Sequence, residues 1–171
     1  MALVLDGNGT MTVGNGDITG LVAGALPSNV IGAGAVLQVV QGTTTTPVAR
    51  TTGGLVDTGL TATITPSSAT SKRLVFMHQN GIRKQAANCY MEFYLLRGAS
   101  TIALLALAQV YTGSVLDLQS GTVSTTYLDS PATTSATTYK TQFAYAGNSG
   151  GTCSVQVNSD VSTITLMEIA V

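Results

Sequence analysis

Side chains able to act as nucleophiles, general bases or metal ligands are few in this chain. It has one histidine, His78, and two cysteines, Cys89 and Cys153. A single histidine excludes a multi-histidine zinc site, and a cysteine nucleophile would need His78 as its base. Because His78 ends an apolar run, we expect it in a strand, with a structural or surface role. We expect the cysteines to be two buried thiols, with a disulfide between them as the alternative.

The eight carboxylates are scattered along the sequence and form no recognisable catalytic motif. Two carboxylates can hydrolyse a glycosidic bond whatever their spacing in sequence, because the pair is set in space. Enzymes acting on glycans usually stack sugars on aromatic rings, and here aromatics are 5% of the residues with no tryptophan. No glycine-rich loop opens a helix, and no EF-hand pattern is present. The sequence therefore predicts no enzymatic activity, no cofactor and no metal site.

Two predicted loops carry the residues best suited to contact a partner. Asn80 follows an apolar strand, and the basic pair Arg83 and Lys84 comes shortly after it. Asn148 lies in a second predicted loop, 146–151, which we expect to form a hairpin. We predict that these four side chains contact an external glycan through hydrogen bonds. The alternative for the basic pair is a solvated loop tip.

Low charge is the most informative feature of the composition. Only 9% of the 171 residues are charged, with seven Lys or Arg, eight Asp or Glu and a net charge of −1. Globular domains are usually about 25% charged, and charge keeps monomers soluble and apart. We therefore expect copies of the chain or a larger assembly to cover much of the surface. This balance predicts no binding to nucleic acid, and the longest apolar run, 102–108, is too short to insert across a membrane.

Residues 1–36 are rich in glycine and contain an imperfect seven-residue repeat, 7–13 and 14–20. Asn-Gly pairs favour turns, so each repeat predicts a tight turn followed by a few extended residues. Such a segment cannot bury a core of its own. We interpret 1–36 as an anchor or stem that packs on neighbouring chains, with a flexible linker as the alternative. No basic region precedes an apolar block, so no secretory signal is predicted.

After residue 36, apolar and polar residues alternate with the two-residue period of half-buried strands. The segment 101–110 fits a buried strand or a short helix, and its flanking glycines favour a strand. The predicted fold class is all-β: an antiparallel β-sandwich or jelly roll with an extended glycine-rich N-terminal anchor or stem. We predict a connecting strand and Thr-rich loop over 37–50 and the sandwich domain over 51–171. Its last strand, 162–171, is expected to be central in a sheet. The remaining strands are predicted at 36–41, 61–65, 73–79, 90–96, 122–128, 138–145 and 152–157.

Several short motifs in this region follow one another in a specific order. Together they resemble a small Ser/Thr-rich β-sandwich module found in virion proteins of tailed bacteriophages, especially those of aquatic hosts. The resemblance covers roughly residues 36–171. The motifs are LQVV at 37–40, VDTGLTATITPSS at 56–68, LLRGAST at 95–101, YLDSP at 127–131, YKTQF at 139–143 and STITLMEI at 162–169.

The resemblance implies a non-enzymatic component of the phage particle, located on the virion after assembly in the host cytoplasm. It implies a homotrimeric short fibre, spike or knob, docked on other virion proteins through residues 1–36 and displayed for host attachment. In that setting, the predicted loops would contact a host-surface glycan. The alternative is a capsid decoration protein that stabilises the head. A secreted glycan-binding lectin or hydrolase is a third, less favoured class.

Overall fold

The computed structural model describes residues 4–5, 11–12, 32–114, 118–119, 121–147 and 150–171. The chain divides into two compact units, Met1–Ile31 and Gly32–Val171. In the first unit, β1 (Val4–Leu5) pairs antiparallel with β2 (Met11–Thr12). Residues 11–12 belong to the first glycine repeat and are extended, as the repeat predicts. The second repeat, 14–20, lies outside the described residues.

The second unit is built from antiparallel strands, and the described residues contain no α-helix. A short 3-10 turn, Val157–Ser159, precedes the last strand. The strands in chain order are β3 (Val36–Thr44), β4 (Val48–Arg50), β5 (Gly54–Ile64), β6 (Lys72–Gln79), β7 (Arg83–Lys84), β8 (Cys89–Arg97), β9 (Ser100–Gln109), β10 (Leu118–Gln119), β11 (Val123–Asp129), β12 (Thr137–Gly147), β13 (Cys153–Val155) and β14 (Ser162–Ile169).

Two four-stranded antiparallel sheets form the body of this unit. Sheet I has the strand order β11–β6–β14–β3, and sheet II has the order β5–β12–β8–β9. A smaller sheet III has the order β10–β7–β13–β4. Sheets I and II pack through a shared apolar core, so the predicted β-sandwich class is confirmed.

The core follows from strict two-residue alternation along the long strands. In β6 and β14, residues Val75, Met77, Ile164 and Leu166 point inward and are almost fully buried. The intervening residues on these strands point away from sheet II, because successive side chains of a strand point to opposite faces. From sheet II, the rings of Phe93 and Phe143 meet this layer, and their centroids lie 6.1 Å apart. The sequence pattern therefore sets which face of each sheet is buried.

The last strand lies in the middle of sheet I, as predicted. β14 pairs with β6 on one side and with β3 on the other. The connecting strand predicted at the start of 37–50 is β3, which pairs with β14 over almost its whole length and is an integral strand of the sandwich. The compact unit begins at Gly32, ahead of the predicted domain boundary.

The hairpin predicted at 148–151 does not form between β12 and β13. β12 pairs with β5 and β8 in sheet II, whereas β13 pairs with β4 and β7 in sheet III. A turn sequence between two alternating segments predicts a reversal of the chain. It does not determine which sheet the second segment joins.

The segment 101–110 is a strand, as favoured, but it is not a buried one. β9 lies at the edge of sheet II and pairs with β8 through three register shifts. Each shift places an extra residue in β9, which bends the strand and interrupts the two-residue period. Leu104 and Leu107 are consequently exposed. These bulges explain why the apolar run has no clear strand periodicity.

Candidate functional site

Polar residues from six separate motifs meet in one layer at one end of the sandwich. On the inner face of sheet I, Asp129, Arg73, Glu168 and Gln38 lie side by side on the four neighbouring strands. Sheet II contributes Arg97 and Tyr139, which are paired across β8 and β12. The connection from β5 to β6 contributes Ser67, Ser68 and Ser71. We call these nine residues the polar layer.

Glu168 is the centre of the polar layer. Its side chain is fully buried, and Oε1 accepts hydrogen bonds from the Ser67 amide and hydroxyl, both at 2.9 Å. The Ser71 hydroxyl donates to the same oxygen at 2.6 Å, and the Gln38 amide donates to Oε2 at 2.5 Å. Burial alone would raise the pKa of this carboxyl, but the hydrogen bonds from Gln38, Ser71 and Ser67 lower it to about 2. Glu168 therefore joins the β5–β6 connection to β14.

Arg73 and the Arg97–Asp129 pair complete the polar layer. Arg73 is fully buried, and its guanidinium donates to the Ser71 hydroxyl at 2.8 Å and lies 4.0 Å from Glu168. Arg97 binds both oxygens of Asp129 at 2.8 and 2.9 Å, which links the two sheets. The Tyr139 hydroxyl donates to Asp129 at 2.7 Å. Burial and this hydrogen bond raise the pKa of the Tyr139 phenol.

The chemistry of the polar layer is structural. It holds two cations and two anions, so its charges cancel, and most of its charged atoms already have partners inside the chain. Arg73 and Glu168 have no exposed side-chain surface, so a substrate cannot reach them. Each of the six sequence motifs thus contributes a residue to this layer, and its Arg97–Asp129 pair links the two sheets.

A change of pH tests the role of Glu168. Its ordinary pKa is 4.5, and its folded-state pKa is about 2. Between these values the unfolded chain binds a proton that the folded chain does not, so the free energy of unfolding falls as the pH is lowered from about 4.5 to 2. The expected loss is about 3 kcal/mol, since one pKa unit corresponds to ~1.4 kcal/mol.

Chemical denaturation of the wild type and of Glu168→Gln across this pH range measures the effect. As the pH is lowered, the free energy of unfolding is expected to fall more steeply for the wild type, because the variant has no carboxyl to titrate at this position. Parallel curves for the two proteins would show that Glu168 is not the group responsible.

The predicted contact residues do not form one exposed surface. Arg83 and Lys84 form β7, which corrects their assignment to a loop, because both pair with β13 inside sheet III. Lys84 is 1% exposed, and its ammonium group donates to the Thr112 carbonyl at 2.9 Å. Arg83 is half-buried. Lys84 is therefore unable to contact an external glycan.

Asn80 is also engaged within the chain. Its amide donates to the Val161 carbonyl at 2.7 Å, and its oxygen accepts from the Thr122 hydroxyl at 2.7 Å. Asn148 lies outside the described residues. The positions of Asn80 and Lys84 therefore do not support the predicted glycan contact.

The two cysteines are free thiols in the interior, as expected. Cys89 begins β8 and Cys153 begins β13, and both are fully buried. Burial and the neighbouring Cys89 thiol raise the pKa of Cys153 to about 12. The Cys153 thiol is therefore protonated and unreactive near neutral pH. His78 is exposed on the outer face of sheet I, which excludes it as a base for either thiol.

The described residues contain one polar surface cluster with an adjoining depression. Asp57 on β5 accepts hydrogen bonds from Lys140 at 2.9 Å and from Gln142 at 2.6 Å, both on β12. Burial alone would raise the pKa of Asp57, but these two partners lower it. The depression beside them has a volume of about 240 Å³ and is bordered by Gly59 and Thr61. Both oxygens of Asp57 are already bound, so the cluster carries no evident catalytic group.

Among the described residues, no group of three or more His, Cys, Asp or Glu side chains is placed to hold a metal ion. The described part of the chain also forms no helix with the length and hydrophobicity that a bilayer crossing requires. No known protein family matches the sequence, and no curated protein is significantly similar to it.

The polar layer had a signal in the sequence. Along β14, Ile164 and Leu166 point inward, and continuing this alternation places Glu168 on the same buried face. Along β6, Val75 and Met77 place Arg73 inward in the same way. Opposite charges at inward positions of two strands predict a buried ion pair, because an isolated buried charge is too costly.

Proposed function

We propose that this chain is a non-enzymatic structural subunit of a bacteriophage virion, assembled as a homotrimeric short fibre, spike or knob. The proposal starts from the motif resemblance, and the structure gives those motifs a common role. Each motif contributes at least one residue to the polar layer, which maintains the sandwich. A sandwich held together in this way is suited to serve as a scaffold for assembly and display.

One observation supports the assembly role most directly. Large apolar side chains are exposed on both main sheets, although the core contains ample apolar residues of its own. A large exposed apolar area is typical of a surface that another protein covers. Of the few charged residues, Arg73, Lys84, Asp129 and Glu168 are buried, which leaves even fewer on the surface. A subunit buried among its copies needs little surface charge, and a freely diffusing monomer needs more.

In the fibre form of this proposal, the subunits are held on the particle through residues 1–36 and contact host-surface glycans. Three copies presented together compensate for weak single contacts, because binding of the second and third becomes intramolecular. As a capsid decoration protein, the same sandwich would cover the head without binding a receptor. The particle experiment below separates these forms.

Cryo-electron microscopy of particles from the phage that carries this sequence tests the proposal, with peptide mass spectrometry to identify the chain. Projecting trimeric density on the tail or head, with loss of host adsorption when the gene is deleted, is the expected result. Density spread over the capsid lattice, with fragile heads and normal adsorption, would establish the decoration form. Particles that contain no copy of the chain would refute a virion role.

A further inference from the structure

The outer face of sheet I is an unusually apolar surface for an antiparallel sheet. One row of side chains crosses all four strands without interruption: Leu128, Leu74, Met167 and Val39. Val39 and Leu128, at its two ends, are 55% and 52% exposed. Phe76 lies in the next row and is 39% exposed. An antiparallel sheet with one face in a core usually presents a polar face to water.

The rest of this face is uncharged or nearly so. Beside Phe76 lie Thr126, Thr165 and Gln41, and the row beyond it contains Ser124, His78, Thr163 and Thr43. Lys72 lies at the opposite end, beside Ile169. The centre of the face carries no carboxylate, arginine or lysine. The outer side of sheet II differs, because Asp57, Lys140 and Glu92 lie there.

The size of the face matches the requirement of a protein interface. Four strands about 4.8 Å apart, each presenting about seven residues of ~3.3 Å, give roughly 450 Å² of flat area per copy. Side-chain relief adds to this, so the face and the different surface of a second copy that covers it together approach the ~1,000 Å² total of a specific interface. Threonine, serine and glutamine around the apolar row provide the polar rim that such interfaces have.

We propose that the outer face of sheet I is the surface on which a second copy of this chain docks. The inference rests on the proposed assembly function and adds the face that it uses. A second copy fits because the apolar centre buries no unpaired charge when it meets an equally uncharged surface. The net charge of −1 also gives copies almost no mutual repulsion. A strongly charged partner would find no complementary group at the centre of this face.

Lysine substitutions at the exposed ends of the apolar row test the proposal on the full chain. We compare Val39→Lys and Leu128→Lys with the matched controls Leu104→Lys and Leu107→Lys. The control positions lie on β9 and are 51% and 59% exposed, so they test the same chemistry at similar exposure. All four side chains are largely solvated in the isolated subunit, and circular dichroism with thermal melting confirms that each variant folds.

Sedimentation velocity at a fixed chain concentration gives the outcome. The wild type and both β9 variants are expected to sediment as the oligomer, and both sheet I variants are expected to lose the oligomer and sediment as single chains. Dissociation of the β9 variants with intact sheet I variants would overturn this inference and leave the assembly function standing. A wild type that is a single chain would overturn the inference as well, whereas the virion role is judged separately by the particle experiment.

Discussion

Replacement of Glu168 by alanine is expected to lower the free energy of unfolding by about 3–5 kcal/mol, the usual cost of breaking a buried ion pair. The variant leaves Arg73 buried without its counter-charge and removes the acceptor of the Ser67 amide. It also frees the Ser71 and Gln38 side chains, which otherwise fix the β5–β6 connection and β3. Equilibrium denaturation in urea, with the chain concentration held constant, measures the change.

The matched control is Glu92→Ala. Glu92 also lies in a strand, but it is half-exposed and accepts one hydrogen bond, from Tyr94 at 2.5 Å. Its replacement is expected to change stability by less than about 1 kcal/mol, as for other surface substitutions. Equal losses in the two variants would mean that the polar layer has no special role in holding the sheets together.

The second large effect is expected at Gly42 on β3, which lies directly against the backbone of β5. A Cβ atom at this position would lie 1.9 Å from the Thr61 carbonyl oxygen and 2.9 Å from its carbon. Both are backbone atoms of β5, so no side chain can rotate away and a strand must shift. We expect Gly42→Ala to destabilise the sandwich by about 3 kcal/mol or more, at the upper end of overpacking effects.

Gly32→Ala provides the control for the change of residue type. A Cβ at Gly32 meets no atom within 4 Å, and its backbone needs no positive φ. The free energy of unfolding of Gly32→Ala should differ from the wild-type value by less than about 1 kcal/mol, in either direction. A Gly42→Ala variant with the melting temperature of the wild type would show that the backbones of β3 and β5 lie farther apart than the structure describes.

Alternation along the chain was sufficient to predict the sandwich. The strands at 73–79, 90–96 and 138–145 were each predicted within two residues of their observed ends. Each segment has a clean two-residue period, and that period is a local property that a single sequence displays. The central place of β14 was likewise predicted, since the alternating segment runs almost to the last residue.

Features that depend on which strands meet could not be predicted in the same way. Lys84 was assigned to a solvated loop because two adjacent basic residues after Asn80-Gly81 are typical of one. In the structure, pairing with β13 buries its stem and directs its ammonium group to the Thr112 carbonyl. That pairing brings together β7 and β13, which are distant in sequence. The same limitation applies to sheet III as a whole, whose strands are only two or three residues long.

The polar layer lies between these two cases. The two-residue alternation in the sequence places Arg73 and Glu168 on the inward faces of their strands, so a buried ion pair could have been inferred. The contributions of Ser67 and Tyr139 could not, because they depend on the path of a connection and on the packing of sheet II against sheet I. Local pattern predicts which residues are buried, and only the assembled sheets show which of them meet.

The proposed assembly depends on self-association of an almost uncharged chain. Sedimentation equilibrium of the full chain, over the widest concentration range that its solubility allows, tests this most directly. We expect a single species with three times the mass of one chain, and a shift to single chains when Val39 and Leu128 are both replaced by lysine. A wild type that has the mass of one chain at every concentration would contradict it.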